Sequence, residues 1–183
     1  PSASLSRSGV LLEASSFAKT GGWKIDTQHY LQMGGNYLLA HGMGKPVEDA
    51  ETVVDLPTPG KWNVWVRNRD WCKGKWQSPG RFQVLVEGMP LQITFGEAEE
   101  TWHWQSGGSV EIAKAGKTKI SLRDLTGFDG RCDAIFFTQE SNPSLPEDDL
   151  KELSDWKDVL AGRSNEKVEE LSFDLVVVGG GMS

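Results

Sequence analysis

Two strand-like runs around a long loop constrain this chain most. Residues 61–67 carry Trp62, Val64 and Val66 at alternate positions, with Asn63, Trp65 and Arg67 between them. Residues 82–87 repeat the pattern, with Phe82, Val84 and Val86 against Gln83, Leu85 and Glu87. Side chains of a strand alternate between its two faces, so each run has one wholly apolar face and one mixed face. That is the pattern of a leaf in a β-sandwich. Pro59 and Gly60 open the unit and Gly88 closes it, which predicts a hairpin over residues 60–88. The intervening residues 68–80 are too many for a tight turn, and long loops that persist are often functional.

The rest of the chain repeats short strand signals. Residues 10–14, 23–25, 37–40, 50–56, 91–95, 102–104, 109–113, 118–122 and 133–138 read as extended, with Gly or Pro between most of them. Gly107 and Gly108 read as a turn, and residues 125–132 as a loop. Many short strands at this spacing predict an all-β, antiparallel sandwich or jelly roll over residues 1–140. Residues 141–170 read as a helical linker. Asn142, Pro143 and Pro146 lead into a helix over 147–161, stopped by Gly162. Leu150, Leu153, Trp156 or Lys157, and Leu160 form its narrow apolar stripe.

Charge narrows the function. The formal net charge is -7, which argues against a general nucleic-acid binder. The acidity gathers in residues 148–170, whereas residues 67–81 hold Arg67, Arg69, Lys73, Lys75 and Arg81 against Asp70 alone. No apolar run approaches the roughly 20 residues of a membrane-spanning helix. The small polar residues 1–6 could follow a removed signal peptide, consistent with a secreted or periplasmic protein. Eight tryptophans against two tyrosines mean a Trp-rich core or indoles facing a ligand. Trp71 and Trp76 lie among Arg69, Lys73 and Lys75. Indole faces stack on sugar C–H surfaces, and the cations suit carboxylate or sulfate. These five residues form the candidate ligand site, with an acidic carbohydrate as ligand. The alternative is that the indoles pin the loop to the sandwich or to a partner domain. His29, His41 and His103 are scattered, and no nucleophile–base pair or zinc spacing is legible. Cys72 and Cys132 read as loop residues beside strand ends, where a disulfide is one outcome.

The chain ends on an apolar run, 173–178, followed by Gly179, Gly180 and Gly181. Residues 171–183 thus read as the first strand and turn of a truncated Rossmann unit, with Gly179 and Gly181 as cofactor-binding glycines. Residues 171–183 do not include the helix that would present N–H groups to a pyrophosphate, so these 183 residues are expected to bind no flavin by themselves.

With these residues in view, the chain resembles the N-terminal β-sandwich of bacterial FAD-dependent oxidoreductases and of xanthan-lyase-like secreted proteins. The resemblance is carried by residues 60–67, 79–82, 102–104 and 126–133 and by the terminal glycines. The sandwich is also similar to galactose-binding-like carbohydrate modules, in which an opening Glu-Ala-Glu strand lies beside a closing Asp-Ala-Ile strand. Here those are Glu13, Ala14 and Ser15, and Asp133, Ala134 and Ile135. The resemblance implies an accessory module, possible calcium ligation by Glu13 and Asp133, and FAD in a longer parent chain. Calcium needs 6–8 oxygen ligands, and Ser15 removes one carboxylate. The alternative is that Glu13 or Asp133 pairs with Arg131 or caps a loop. The implied function is a non-catalytic accessory module, with carbohydrate as the implied ligand. Its rivals are a wall of the oxidoreductase active site and a purely structural packing domain.

Overall fold

The computed structural model describes residues 4–163 and 172–175. Ten strands and two helices follow in chain order. The strands are β1 (Val10–Glu13), β2 (Lys24–Asp26), β3 (Tyr37–His41), β4 (Ala50–Leu56), β5 (Gly60–Asn68), β6 (Phe82–Val86), β7 (Met89–Pro90), β8 (His103–Ile112), β9 (Gly116–Asp124) and β10 (Phe128–Thr138). The helices are α1 (Tyr30–Met33) and α2 (Leu150–Leu160). One sheet runs β2-β3-β10-β5-β8, with β1 also paired to β10, and the other runs β4-β9-β6-β7. All pairings are antiparallel. β10 organises the larger sheet. β5 pairs one edge, and β3 and β1 share the other in succession.

The expected hairpin over residues 60–88 does not form. β5 sits between β10 and β8, whereas β6 sits between β9 and β7 in the opposite sheet. Residues 69–81 therefore carry the chain across the sandwich, where sheets stand about 10 Å apart. The two apolar faces do face the core, but they meet across the interior rather than edge to edge. Trp62, Val64 and Val66 join Phe82, Val84 and Val86 in one buried core with Trp23, Ile120, Ile135 and Phe137.

Three local readings change for similar reasons. Gly107 and Gly108 do not turn the chain; they lie within β8, where the register against β5 shifts. A Cβ on Gly107 would stand 2.8 Å from Leu91 Cδ1, so a glycine lets the strand pass over the core. Residues 91–95 form no strand; Leu91 and Phe95 are buried as anchors, and Phe95 bridges to Phe82. Residues 128–132 are strand rather than loop, so Cys132 lies inside β10 and is fully buried.

Cys72 and Cys132 are free thiols. Burial, then the charge of Asp133, push the Cys132 thiol well above its ordinary value. In native protein only Cys72 should react with a thiol reagent, and two thiols should titrate once unreduced protein is unfolded. Fewer than two in the unfolded state would reveal a bridge.

The mixed face of β5 is covered as well. α2 is docked on the outer face of the larger sheet, not held off it as a spacer. Asp149 caps the helix by accepting from the Glu152 amide at 2.9 Å, which places the start later than Pro146. Trp156 is buried against Phe136 and Trp104, at ring separations of 5.1 and 5.6 Å. Its Nε1 donates to the Ser6 carbonyl at 2.6 Å. A small second core of Met33, Tyr37 and Trp102 lies beneath α1.

Candidate functional site

Loop 69–81 is a built structure. Asp70 is fully buried and accepts from the Cys72 amide at 3.0 Å and from the Ser78 hydroxyl. Its own amide donates to the Glu99 carbonyl at 2.6 Å. These bonds hold the loop at both ends, with its two indoles partly exposed. Trp71 is 36% exposed and Trp76 61% exposed. Trp71 Nε1 donates to the Phe128 carbonyl at 2.8 Å, and Trp76 Nε1 to the Cys72 carbonyl at 2.9 Å. Both N–H groups are thus satisfied internally, and each indole offers its apolar face. A Cβ on Gly74 would come within 2.4 Å of the Trp76 ring, so the glycine seats that indole.

The cations named from the sequence divide. Lys73 pairs with Glu99 at 2.9 Å on the surface, so its charge is met within the chain. Lys75 is exposed. Arg69 turns away from the loop tip toward α1, where its Nη1 donates to His29 Nε2 at 3.3 Å. It also lines a recess of about 510 Å³ with Gln32, Glu100, Trp102 and Asp148. Beside Trp71, and close enough to Arg69 for its charge to be felt there, lies Arg131. Arg131 is 7% exposed, and its guanidinium lies 5.5 Å from the centre of the Trp71 ring. Its Nη1 donates to the Asp129 carbonyl at 2.9 Å, and its Nε has no partner. Trp71, Arg131, Arg69 and His29 therefore form one aromatic and cationic run. They come from the loop, β10, the end of β5 and the start of α1.

Among the described residues neither Arg69 nor Arg131 forms an ion pair, whereas Arg67, Arg123 and Arg163 all do. Burial, then the charge of Arg131, lower the pKa of Arg69. Burial also lowers that of His29, with Arg69 next in effect. The charge of Asp26 acts on His29 and those of Glu100 and Asp70 on Arg69; Asp26 is itself engaged by Tyr37 and by the amides of Thr27 and Gln28. Burial would raise its pKa, but these bonds outweigh burial and lower it. Burial, then the bond to Asp26, push the Tyr37 hydroxyl up to about 12. A buried and a part-buried guanidinium, neither in an ion pair among the described residues, make an anion-seeking surface.

Glu13 and Asp133, expected as calcium ligands, do lie on paired strands, with Glu13 opposite Ala134. Cations of the chain itself occupy them. Lys157 Nζ reaches both Asp133 oxygens at 3.0 Å, and Arg67 reaches one at 3.2 Å. Glu13 lies 3.4 Å from Arg163 and 3.9 Å from Lys157. An ammonium and a guanidinium where a metal would sit do not fit calcium, and among the described residues no group of three metal-ligating side chains gathers. The pairing partner also differs from the expected Arg131. Gly179 and Gly181 lie outside the described residues.

No family model matches the chain, and no curated protein matches it. Solved structures do. A family 35 carbohydrate-binding module from Clostridium thermocellum aligns with a TM-score of 0.54 at 15% identity, over 71% of this chain and 97% of that one. The family 35 module from Paenibacillus barcinonensis gives 0.53 at 17% identity, over 72% and 100%. The fold is a galactose-binding-like jelly roll. The chain spans only part of some larger matches. The GH26-CBM35 β-(1,4)-mannanase of Podospora anserina gives 0.57 at 20% identity, over 78% of this chain and 29% of that one. A Paenibacillus xanthan lyase gives 0.52 at 18% identity, over 76% and 14%. Among the described residues no helix is long and apolar enough to cross a membrane.

Proposed function

We propose that this chain is a non-catalytic accessory module that binds acidic carbohydrate through Arg131, Arg69 and Trp71, with Trp76 and Lys75 extending the surface. The observation that carries this reading is the buried Arg131 guanidinium over the half-exposed Trp71 ring, with the part-buried Arg69 close by in charge and neither arginine in an ion pair among the described residues. An Arg fork takes a carboxylate in two parallel hydrogen bonds, and an indole face takes the apolar side of a pyranose. The likeness to carbohydrate-binding modules supports the sugar, and the cationic run supports its acidity. The parent chain is proposed to be a secreted or periplasmic FAD-dependent oxidoreductase, a reading that rests on residues 171–183. Within that parent the acidic partner of the loop is either the polysaccharide or the flavin domain.

Calorimetry with oligogalacturonate and with neutral oligosaccharides, at low and high salt, tests the proposal. Acidic oligomers should bind, and added salt should weaken them. Arg131→Gln should cost about tenfold or more in affinity, the worth of one charge-assisted hydrogen bond. Equal binding of neutral chains, or full affinity in Arg131→Gln, would remove the acidic reading. No binding of any sugar by the wild type would favour the packing surface instead.

A further inference from the structure

His29 is the side chain on which Arg69 rests, and its two ring nitrogens have unequal partners. Nδ1 lies 3.0 Å from Gln32 Oε1, an atom that only accepts. Nδ1 therefore carries the hydrogen, and Nε2 presents a lone pair to Arg69 Nη1 at 3.3 Å. That assignment satisfies both bonds with a neutral imidazole. The ring is also held by its faces, 5.8 Å from Tyr37 and 6.0 Å, edge-on, from Trp102. A proton added at Nε2 would set N–H against N–H and a positive charge against the guanidinium.

We propose that His29 is a proton-sensitive positioning residue for Arg69: neutral, it holds the guanidinium toward α1, and protonated, it releases that guanidinium and adds a third positive charge to the anion-seeking run. The charged groups around the ring come from four places. Arg69 at the end of β5 and Arg131 on β10 oppose protonation, Asp26 on β2 favours it, and Tyr37 on β3 is neutral. The lowered pKa of His29 agrees with a ring that is neutral at neutral pH. The consequence for sugar binding rests on the acidic-carbohydrate reading. A uronate stays ionised down to the usual carboxylate range, so a bound carboxylate should favour protonated His29. By linkage, protonated His29 then favours the carboxylate to the same degree. Affinity should therefore rise as pH falls through the His29 transition.

Two measurements on the same chain test the latch. The first follows the His29 ring proton by NMR across pH without sugar. Its pKa should lie below the ordinary histidine value in wild type and move up toward it in Arg69→Gln. A value that is ordinary, or indifferent to Arg69→Gln, overturns the proposal whatever binds. The second measures oligogalacturonate affinity at about pH 8 and about pH 5.5. A shift of one pKa unit on binding corresponds to about a tenfold gain at the lower pH. In His29→Gln, which keeps a neutral acceptor for Arg69, that gain should vanish. It should survive His41→Gln, although His41 lies 2.6 Å from Asp129 nearby. A gain that persists in His29→Gln overturns the proposal. If the sugar binds at neither pH, the carbohydrate reading fails by itself, and the NMR titration still decides the latch.

Discussion

Asp133→Ala should destabilise the chain by about 3–5 kcal/mol, the cost of removing one partner from a buried ion cluster. Asp133 and Arg67 are each 1% exposed, and Lys157 is 5% exposed. The substitution strands two cations. Arg67 would keep Asp148, whose carboxylate lies 3.2 Å from Nη2 and faces solvent. Lys157 would keep only Glu13, at 3.9 Å. Lys157 is therefore the group that suffers most, and its charge has no route to water while α2 stays docked. The size of the effect comes from this stranded charge and not from the net worth of the native pair, because desolvation offsets much of the Coulomb gain. Adding Lys157→Met to Asp133→Ala should recover more than half of the loss, since the thioether fills the space of the lysine stem without a charge. Urea unfolding followed by tryptophan fluorescence measures both variants. A loss under about 1 kcal/mol in Asp133→Ala would place the cluster in water, on the scale of surface pairs, and contradict the burial.

Trp156→Ala should cost about 3–5 kcal/mol, as deletion of a buried aromatic does. The ring is 1% exposed and fills the space between Phe136 and Trp104. Its loss opens a cavity over β10 and leaves the Ser6 carbonyl without its donor. The N-terminal residues and α2 are joined here, since Ser6 also exchanges hydrogen bonds with Ser144. The variant should therefore loosen both segments together. Faster amide exchange in α2 and around Ser6, with β5 and β6 still protected, is the expected pattern. A helix that served only as a linker would give an unchanged unfolding midpoint. Trp156→Phe, which keeps most of the apolar area, should cost less than the alanine variant.

Strand faces were legible in the sequence because alternation is a local property. Trp62, Val64 and Val66, and likewise Phe82, Val84 and Val86, face the core wherever their strands are placed. The sandwich class and the strands of residues 50–56 and 133–138 followed from the same rule and from the Gly and Pro punctuation. Asp70, Trp71 and Gly74 were visible as a loop, but the anchoring of that loop by Ser78 and Glu99 was not.

Partnership was decided by the tertiary structure, because it depends on where the long connections lead. Loop 69–81 is long enough either to return beside β5 or to cross to the other sheet, and nothing local distinguishes the two paths. The crossing places β10 between β5 and β3, and this brings Asp133 to Arg67 and sets Arg131 against Trp71. Lys157 was legible only as one side of a helix stripe. Docking α2 over β10 turned it into the counter-ion of a buried aspartate. His29 looked like a lone histidine because its partners Gln32, Tyr37, Arg69 and Trp102 span more than seventy residues of sequence. Hydrophobic alternation needs only neighbours two residues apart, whereas ion clusters and ligand surfaces need groups that only folding brings together.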